Sequence, residues 1–248
     1  MQTGVLLFGG SGGIGRALAQ DLAEQGRQAL LVGRGAARLE EAVAATASSS
    51  VRHRAFVADA CAPQQVAAAF DEAASLDGGL GAVVHAVGSI LLKPAHRTSD
   101  EEWRAVQALN LDSAFYVLRE TGQRLGRTGG AVSFVSTAAA SVGLANHEAI
   151  AAAKAGLEGM VRAAAASYAA RGLRVNAVAP GLVDTPLAAP ILRSDASRKA
   201  SEAMHPLGRI GTAEDIAAAL AYQISPEASW ITGQVLRVDG GLAQVRGR

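Results

Sequence analysis

Three groups of residues carry chemical promise: a run of glycines near the start, a lysine set among alanines, and polar residues at the ends of apolar runs. Gly9-Gly10-Ser11-Gly12-Gly13-Ile14-Gly15 follows the apolar run 5–8 and opens a helical pattern. A backbone without side chains lets a diphosphate approach the first turn of a helix, where free N–H groups and the dipole favour anions. A glycine motif alone is weak evidence, but this one sits between the first strand and first helix of a βαβ unit. A tight turn without ligand is the plainer reading, yet so many glycines lower stability unless they have another use. The next strand ends Val32-Gly33-Arg34. A carboxylate there would hold the ribose of NAD, whereas an arginine fork clamps a 2′-phosphate. NADP(H) is therefore expected and NAD is less favoured; a solvated Arg34 is the plain alternative.

Lys154 lies in Ala151-Ala152-Ala153-Lys154-Ala155-Gly156, a strip of small residues suited to aiming a lysine into a pocket. Asn110 stands mid-helix, where asparagine competes for backbone hydrogen bonds, so it marks either a site or a bend. Thr137 follows a strand, and Asp59 either caps the next helix or reads a base. Lys93, His96 and Arg97, with Arg193, Arg198 and Lys199, suit an anionic substrate or simply a solvated surface. Arg119, Arg124 and Arg127 complement a helix C-terminus, or more weakly meet an acidic carrier protein. No His, Cys and carboxylate cluster has metal-ligand spacing. No basic, aromatic-interleaved face supports nucleic-acid binding.

The elements that must position these residues alternate regularly. Strands are expected at 5–8, 29–32, 55–57, 82–87, 131–135, 174–178 and 234–238, with helices at 15–25, 36–47, 64–75, 100–118, 149–170 and 213–223. Ser99 with Glu102, and Thr212 with Asp215, read as helix entries, and Gly26 and Gly172 as left-handed caps. Apolar strands alternating with helices mean parallel pairing with both sheet faces covered. The expected fold is one α/β Rossmann-type, doubly wound parallel sheet in three layers. It spans 1–248 as a single dinucleotide-binding catalytic domain. Pro186, Pro190, Pro206 and mixed charges make 182–206 irregular, as in a lid over a site.

With 248 residues the chain is long enough for one large core, and 50% hydrophobic against 18% charged residues exclude disorder. A net charge of +1 gives no field for nucleic acid or membrane surfaces. Cys61 is the sole cysteine, which fits a reducing compartment. No signal-like start and no apolar run near the ~18 residues of a membrane span point to a cytoplasmic protein without membrane contact.

From residue 5 to 242 the chain resembles the short-chain dehydrogenase/reductase family of about 250 residues. Gly9-x-x-x-Gly13-Ile14-Gly15 is similar to its cofactor loop, with Phe8 where threonine is common. Val57-Ala58-Asp59 resembles its adenine-contacting segment and Asn110-Leu111 its helical asparagine. Asn176 to Gly181 with Thr185 resembles the part that meets the carboxamide and diphosphate, and 231–241 its closing strand. The resemblance implies cofactor contacts from Gly9, Ser11, Gly12, Gly13, Ile14, Gly15, Arg34, Asp59, Ala60, Ala86, Gly88, Lys154, Pro180, Gly181, Val183 and Thr185. It also implies a homotetramer through the fourth and fifth helices and the carboxyl end.

Two departures touch the site. His85-Ala86-Val87-Gly88 stands where the family has Asn-Asn-Ala-Gly, and Ile150 precedes Lys154 where its catalytic tyrosine belongs. Thr137 occupies the serine position. By resemblance the lysine holds the ribose, the hydroxyl polarises the carbonyl, and Asn110 supports a water chain. Losing an acid–base group typically lowers rate about 10²–10⁴-fold. His147 lies one turn before Ile150 if the helix extends back, and can serve as proton donor directly or through water; water on Lys154 is the other candidate. His147 as a mere helix-entry residue is the plainer reading. The expected activity is a carbonyl reductase or alcohol dehydrogenase with catalytic residues Thr137, Lys154, Asn110 and His147, acting on a small carbonyl or alcohol. Alternatives are a redox-silent NADP(H)-binding sensor or assembly protein, and a non-redox enzyme for elimination or epimerisation.

Overall fold

The first strand, β1 (Gly4–Phe8), is buried along its whole length. Its side chains alternate between two cores, Val5 and Leu7 entering one and Leu6 and Phe8 the other. This double burial is why the strand reads as an unbroken apolar run. The computed structural model describes residues 3–48 and 51–245. Seven parallel strands form one sheet in the order β3-β2-β1-β4-β5-β6-β7. They are β1, β2 (Ala29–Gly33), β3 (Arg54–Val57), β4 (Leu80–His85), β5 (Gly130–Val135), β6 (Leu173–Pro180) and β7 (Val235–Val238).

Helices α1 (Gly13–Glu24), α2 (Ala36–Ala45) and α8 (Ala213–Gln223) cover one face through residues such as Leu18, Leu39 and Ile216. Helices α3 (Pro63–Ala73), α5 (Ser113–Leu125) and α6 (Glu148–Tyr168) cover the other through Phe70, Val117 and Leu157. The expected three-layer, doubly wound architecture is thus present. The chain winds outward from β1 to β3, then crosses back to lay β4 on the other side of β1. Phe8 pairs with His85 there, so the loops after β1 and β4 diverge and leave a crevice at the strands' carboxyl ends.

The local signals also hold. Ser99 and Thr212 form capping boxes with Glu102 and Asp215, and Gly26 and Gly172 adopt φ of +74° and +75°. Three expectations are corrected. The fourth helix is α4 (Asp100–Gln107), a π turn (Ala108–Asp112) and then α5, because the Asn110 amide donates to the Val106 carbonyl at 3.0 Å and loosens the helical ladder. Residues 182–206 contain α7 (Asp195–Ala203), entered by a Ser194–Ser197 capping box. Arg119 does not cap a helix end but lies 5.9 and 5.5 Å from the Phe115 and Tyr116 ring centres. Among the described residues no helix is long and apolar enough to cross a membrane.

Candidate active site

The crevice opens into a cavity of about 570 Å³ lined by the glycine loop, the end of β2 and the loops after β3 and β4. Gly9 takes φ +86°, and a Cβ on it would stand 2.6 Å from the Ala86 carbonyl oxygen. A Cβ on Gly13 would stand 2.8 Å from Thr185 Cγ2, so side chains here would fill the cradle that begins α1. Among the described residues, α1 has no side-chain cap and no acidic residue in its first turn. Its N-terminal dipole and free amides therefore meet the cavity uncompensated.

At the β2 end, exposed Arg34 and Arg38 line the cavity, and neither forms an ion pair among the described residues. Arg16 also lines it but is paired with Glu41 at 3.0 Å and donates to the Ser11 carbonyl at 3.2 Å. The sequence reading missed Arg38; its position four residues after Arg34, at the start of a helix, was the available signal. Asp59 lines the same wall, with one carboxylate oxygen accepting the Cys61 amide at 2.9 Å. Ala60, Ala86 and Gly88 complete that side.

A polar cluster gathers beside Gly88. The Asn110 side chain accepts the Ser89 amide at 3.1 Å and donates to Ser89 Oγ at 3.0 Å, tying the π turn to the loop after β4. A Cβ on Gly88 would lie 2.9 Å from Asn110 Oδ1 and 3.6 Å from Lys154 Nζ. Lys154 is buried, donates to the Val135 carbonyl at 2.8 Å, and is lowered by that burial to about 8. His85 is fully buried, and its Nε2 lies 2.9 Å from Ser113 Oγ. Ser113 gives its own proton to the Leu109 carbonyl at 2.7 Å, so His85 is the Nε2–H tautomer. Burial, with the Lys154 charge second, pushes His85 down to about 3.

The remaining expected residues are more scattered. Thr137 starts the short turn after β5, and its Oγ1 accepts the Ala139 amide at 3.3 Å. Ile150 is buried with Val106, Ala149 and Ala153 in a small apolar cluster. His147 precedes α6 rather than lying within it, and its Nδ1–H donates to the Ala145 carbonyl at 2.8 Å. Pro180 ends β6, and Gly181 and Val183 follow; Val183 bridges to Gly211 and Thr185 reaches the cavity. Thr137, His147, Pro180, Gly181 and Val183 are not among the residues lining the 570 Å³ space. A larger hollow of about 870 Å³ lies at the strands' opposite ends, beside Thr3, Gly81 and Gly130. It holds none of the glycine loop, and ligands of open α/β sheets bind at the carboxyl ends.

Fold and cavity define a doubly wound protein with a dinucleotide cradle at its switch point. A family model described as enoyl-(acyl carrier protein) reductase matches residues 9–243. The cis-4-hydroxycyclohexanecarboxylate dehydrogenase of Sinomonas cyclohexanicum is 37% identical over 242 residues, covering 97% of this chain and 96% of its own. Carbonyl reductase family member 4 of Danio rerio is 34% identical, covering 96% of each chain. A short-chain type dehydrogenase/reductase structure from Mycobacterium ulcerans superposes with a TM-score of 0.92 at 32% identity, over 100% of this chain and 92% of that one. The chain belongs to the short-chain dehydrogenase/reductase family, whose members are oxidoreductases that use a nicotinamide dinucleotide. The side-chain-free cradle, the unpaired arginines and the buried lysine fit such a group.

Proposed function

We propose that this protein is an NADP(H)-dependent carbonyl reductase or alcohol dehydrogenase with an altered proton donor. The observation that carries the cofactor choice is the pair Arg34 and Arg38, which face the cavity without carboxylate partners among the described residues. A planar guanidinium matches a 2′-phosphate, and no acidic side chain at the end of β2 opposes it. When bound, the reduced nicotinamide supplies a hydride to the substrate carbonyl carbon.

The chain's own residues do the rest. The glycine-loop amides hold the diphosphate, Asp59 and Ala60 flank the adenine, and Ala86, Gly88, Pro180, Gly181, Val183 and Thr185 shape the path toward the nicotinamide. Lys154 grips the ribose, and Asn110 fixes the Ser89 loop beside it. Thr137 donates its hydroxyl to the carbonyl oxygen. Ile150 stands where the family places its tyrosine, so the proton must come from elsewhere. His147, directly or through water, is our assignment; water on Lys154 is the alternative. Because the Nδ1 proton of His147 is given to the Ala145 carbonyl, Nε2 donates only when the ring carries a second proton.

In this reading residues 1–248 act as one catalytic domain with 182–206 as its lid, in a cytoplasmic homotetramer that binds a small carbonyl or alcohol. Nucleic acid, membrane and metal take no part. A second reading is a redox-silent NADP(H)-binding protein, favoured by the apolar packing around Ile150. Single-turnover mixing with NADPH and a panel of ketones separates the two. Loss of reduced-nicotinamide absorbance at one equivalent supports the reductase; tight binding without transfer to any ketone supports the silent protein. His147→Phe should slow turnover about 10²–10⁴-fold, and an unchanged rate removes His147 from the mechanism.

A further inference from the structure

His205 belongs to none of the motifs above, yet it is buried and both of its ring nitrogens are engaged. It follows α7, and its Nδ1 lies 2.7 Å from the Ser201 carbonyl one turn back. Its Nε2 lies 3.1 Å from the Leu182 amide nitrogen. A carbonyl only accepts and an amide N–H only donates, so the ring is the neutral Nδ1–H tautomer. It packs so closely on Gly181 that a Cβ there would come within 2.6 Å of Nε2.

The bonded segment leads to the cofactor cavity. Leu182 and Asp184 are bracketed by Gly211, whose amide donates to the Leu182 carbonyl and whose carbonyl accepts the Asp184 amide, each at 2.9 Å. Arg198 of α7 reaches Asp184 at 2.8 Å. The next residue, Thr185, lines the cavity and meets the glycine loop at Gly13. His205 itself lines no part of that cavity.

We propose that His205 is a positioning residue: a neutral imidazole clasp between α7 and the Leu182–Thr185 loop that holds Thr185 against the phosphate-binding glycines. The proposal rests on the NADP(H) reading of the cavity. The neutral ring accepts the Leu182 N–H at Nε2 and gives its Nδ1 proton to the Ser201 carbonyl, joining loop to helix. The charged groups around it are Glu202 on α7, the Arg209–Asp215 pair between α7 and α8, Arg237 on β7, and Asp239. Asp239 is itself occupied by the Gly241 and Ala243 amides at 2.9 and 3.0 Å.

The test combines two variants with amide exchange. His205→Phe should raise the NADPH Kd about tenfold while kcat at saturating NADPH stays within about twofold. His205→Gln, which restores an acceptor for Leu182, should recover most of that affinity. Without cofactor, the Leu182 amide's protection factor should fall at least tenfold in His205→Phe, and His205→Gln should restore most of it. Equal Kd in the Phe variant, or a Leu182 protection factor unchanged there, overturns the clasp. The exchange experiment needs no ligand, and recovery in His205→Gln separates loss of the clasp from misfolding. Failure of NADPH to bind at all would instead strike the cofactor reading, leaving the Leu182 result to decide the clasp.

Discussion

The Lys154 ammonium, lowered by burial to about 8 from 10.5, is charged at neutral pH but close to losing its proton. In the proposed reading that charge holds the ribose hydroxyls, so NADPH affinity should fall several-fold as pH rises through about 8, measured by fluorescence titration. Three buried groups set stability, with consistent signs. Where the unfolded chain binds more protons than the folded one, stability rises with pH. For His85, lowered from 6.5 to about 3, that window lies between those values, so stability is lost as pH falls from 6.5 toward 3. His53, buried and lowered by desolvation, acts in the same direction. Urea unfolding from pH 7 to 4 should show this loss, and His85→Asn should flatten it; an unchanged slope in the variant contradicts the assignment. For Lys154 the window is 8 to 10.5, where stability rises with pH.

Ile150→Ala should destabilise by about 2–5 kcal/mol through the cavity it leaves among Val106, Ala149 and Ala153. At this scale the close approaches at Gly9 and Gly13 and the burial of Lys154 and Asn110 were legible from residue type and spacing. His205 and the buried His85 tautomer were not, since their partners lie 23 and 28 positions away along the chain.

Among the elements, the glycine loop forms one wall of the cavity, and a Cβ on Gly9, Gly13 or Gly15 would meet atoms closer than 3.0 Å. A Cβ on Gly15 would collide with the Gly9 carbonyl and approach Gly10 Cα to 2.9 Å. Gly15→Ala should therefore cost about 1–3 kcal/mol by overpacking and weaken NADPH binding at least tenfold. Calorimetric melting and cofactor titration check both; a variant that melts and binds like wild type contradicts the close approach. Strands were legible because burial on both faces leaves continuous apolar runs, and helix entries because capping boxes are local. Helix α7 escaped because only Ser201 on it is buried, so it shows no apolar stripe to announce it. The π turn escaped because a helix that gains one residue per turn keeps its composition; only the side-chain bond from Asn110 to Val106 reveals it.

For the whole molecule, the order of crossovers explains why the crevice opens at the strands' carboxyl ends, between β1 and β4. The alternation of strands and helices made the doubly wound class legible, while the position of the switch point needed pairing that no local pattern encodes. Trp230 is 98% exposed, and Leu236 on the edge strand β7 and Phe115 on α5 are exposed as well. Such residues suit burial between subunits. Sedimentation should give four copies of this chain, and Phe115→Asp should split the assembly; a wild-type monomer would refute it.

Calorimetric titration of the well-folded protein with NADPH and with NADH tests the cofactor assignment most directly. Binding of NADPH at least tenfold tighter than NADH, with the difference abolished in Arg34→Glu, is the expected result. No heat from either dinucleotide, or tighter binding of NADH, would contradict it.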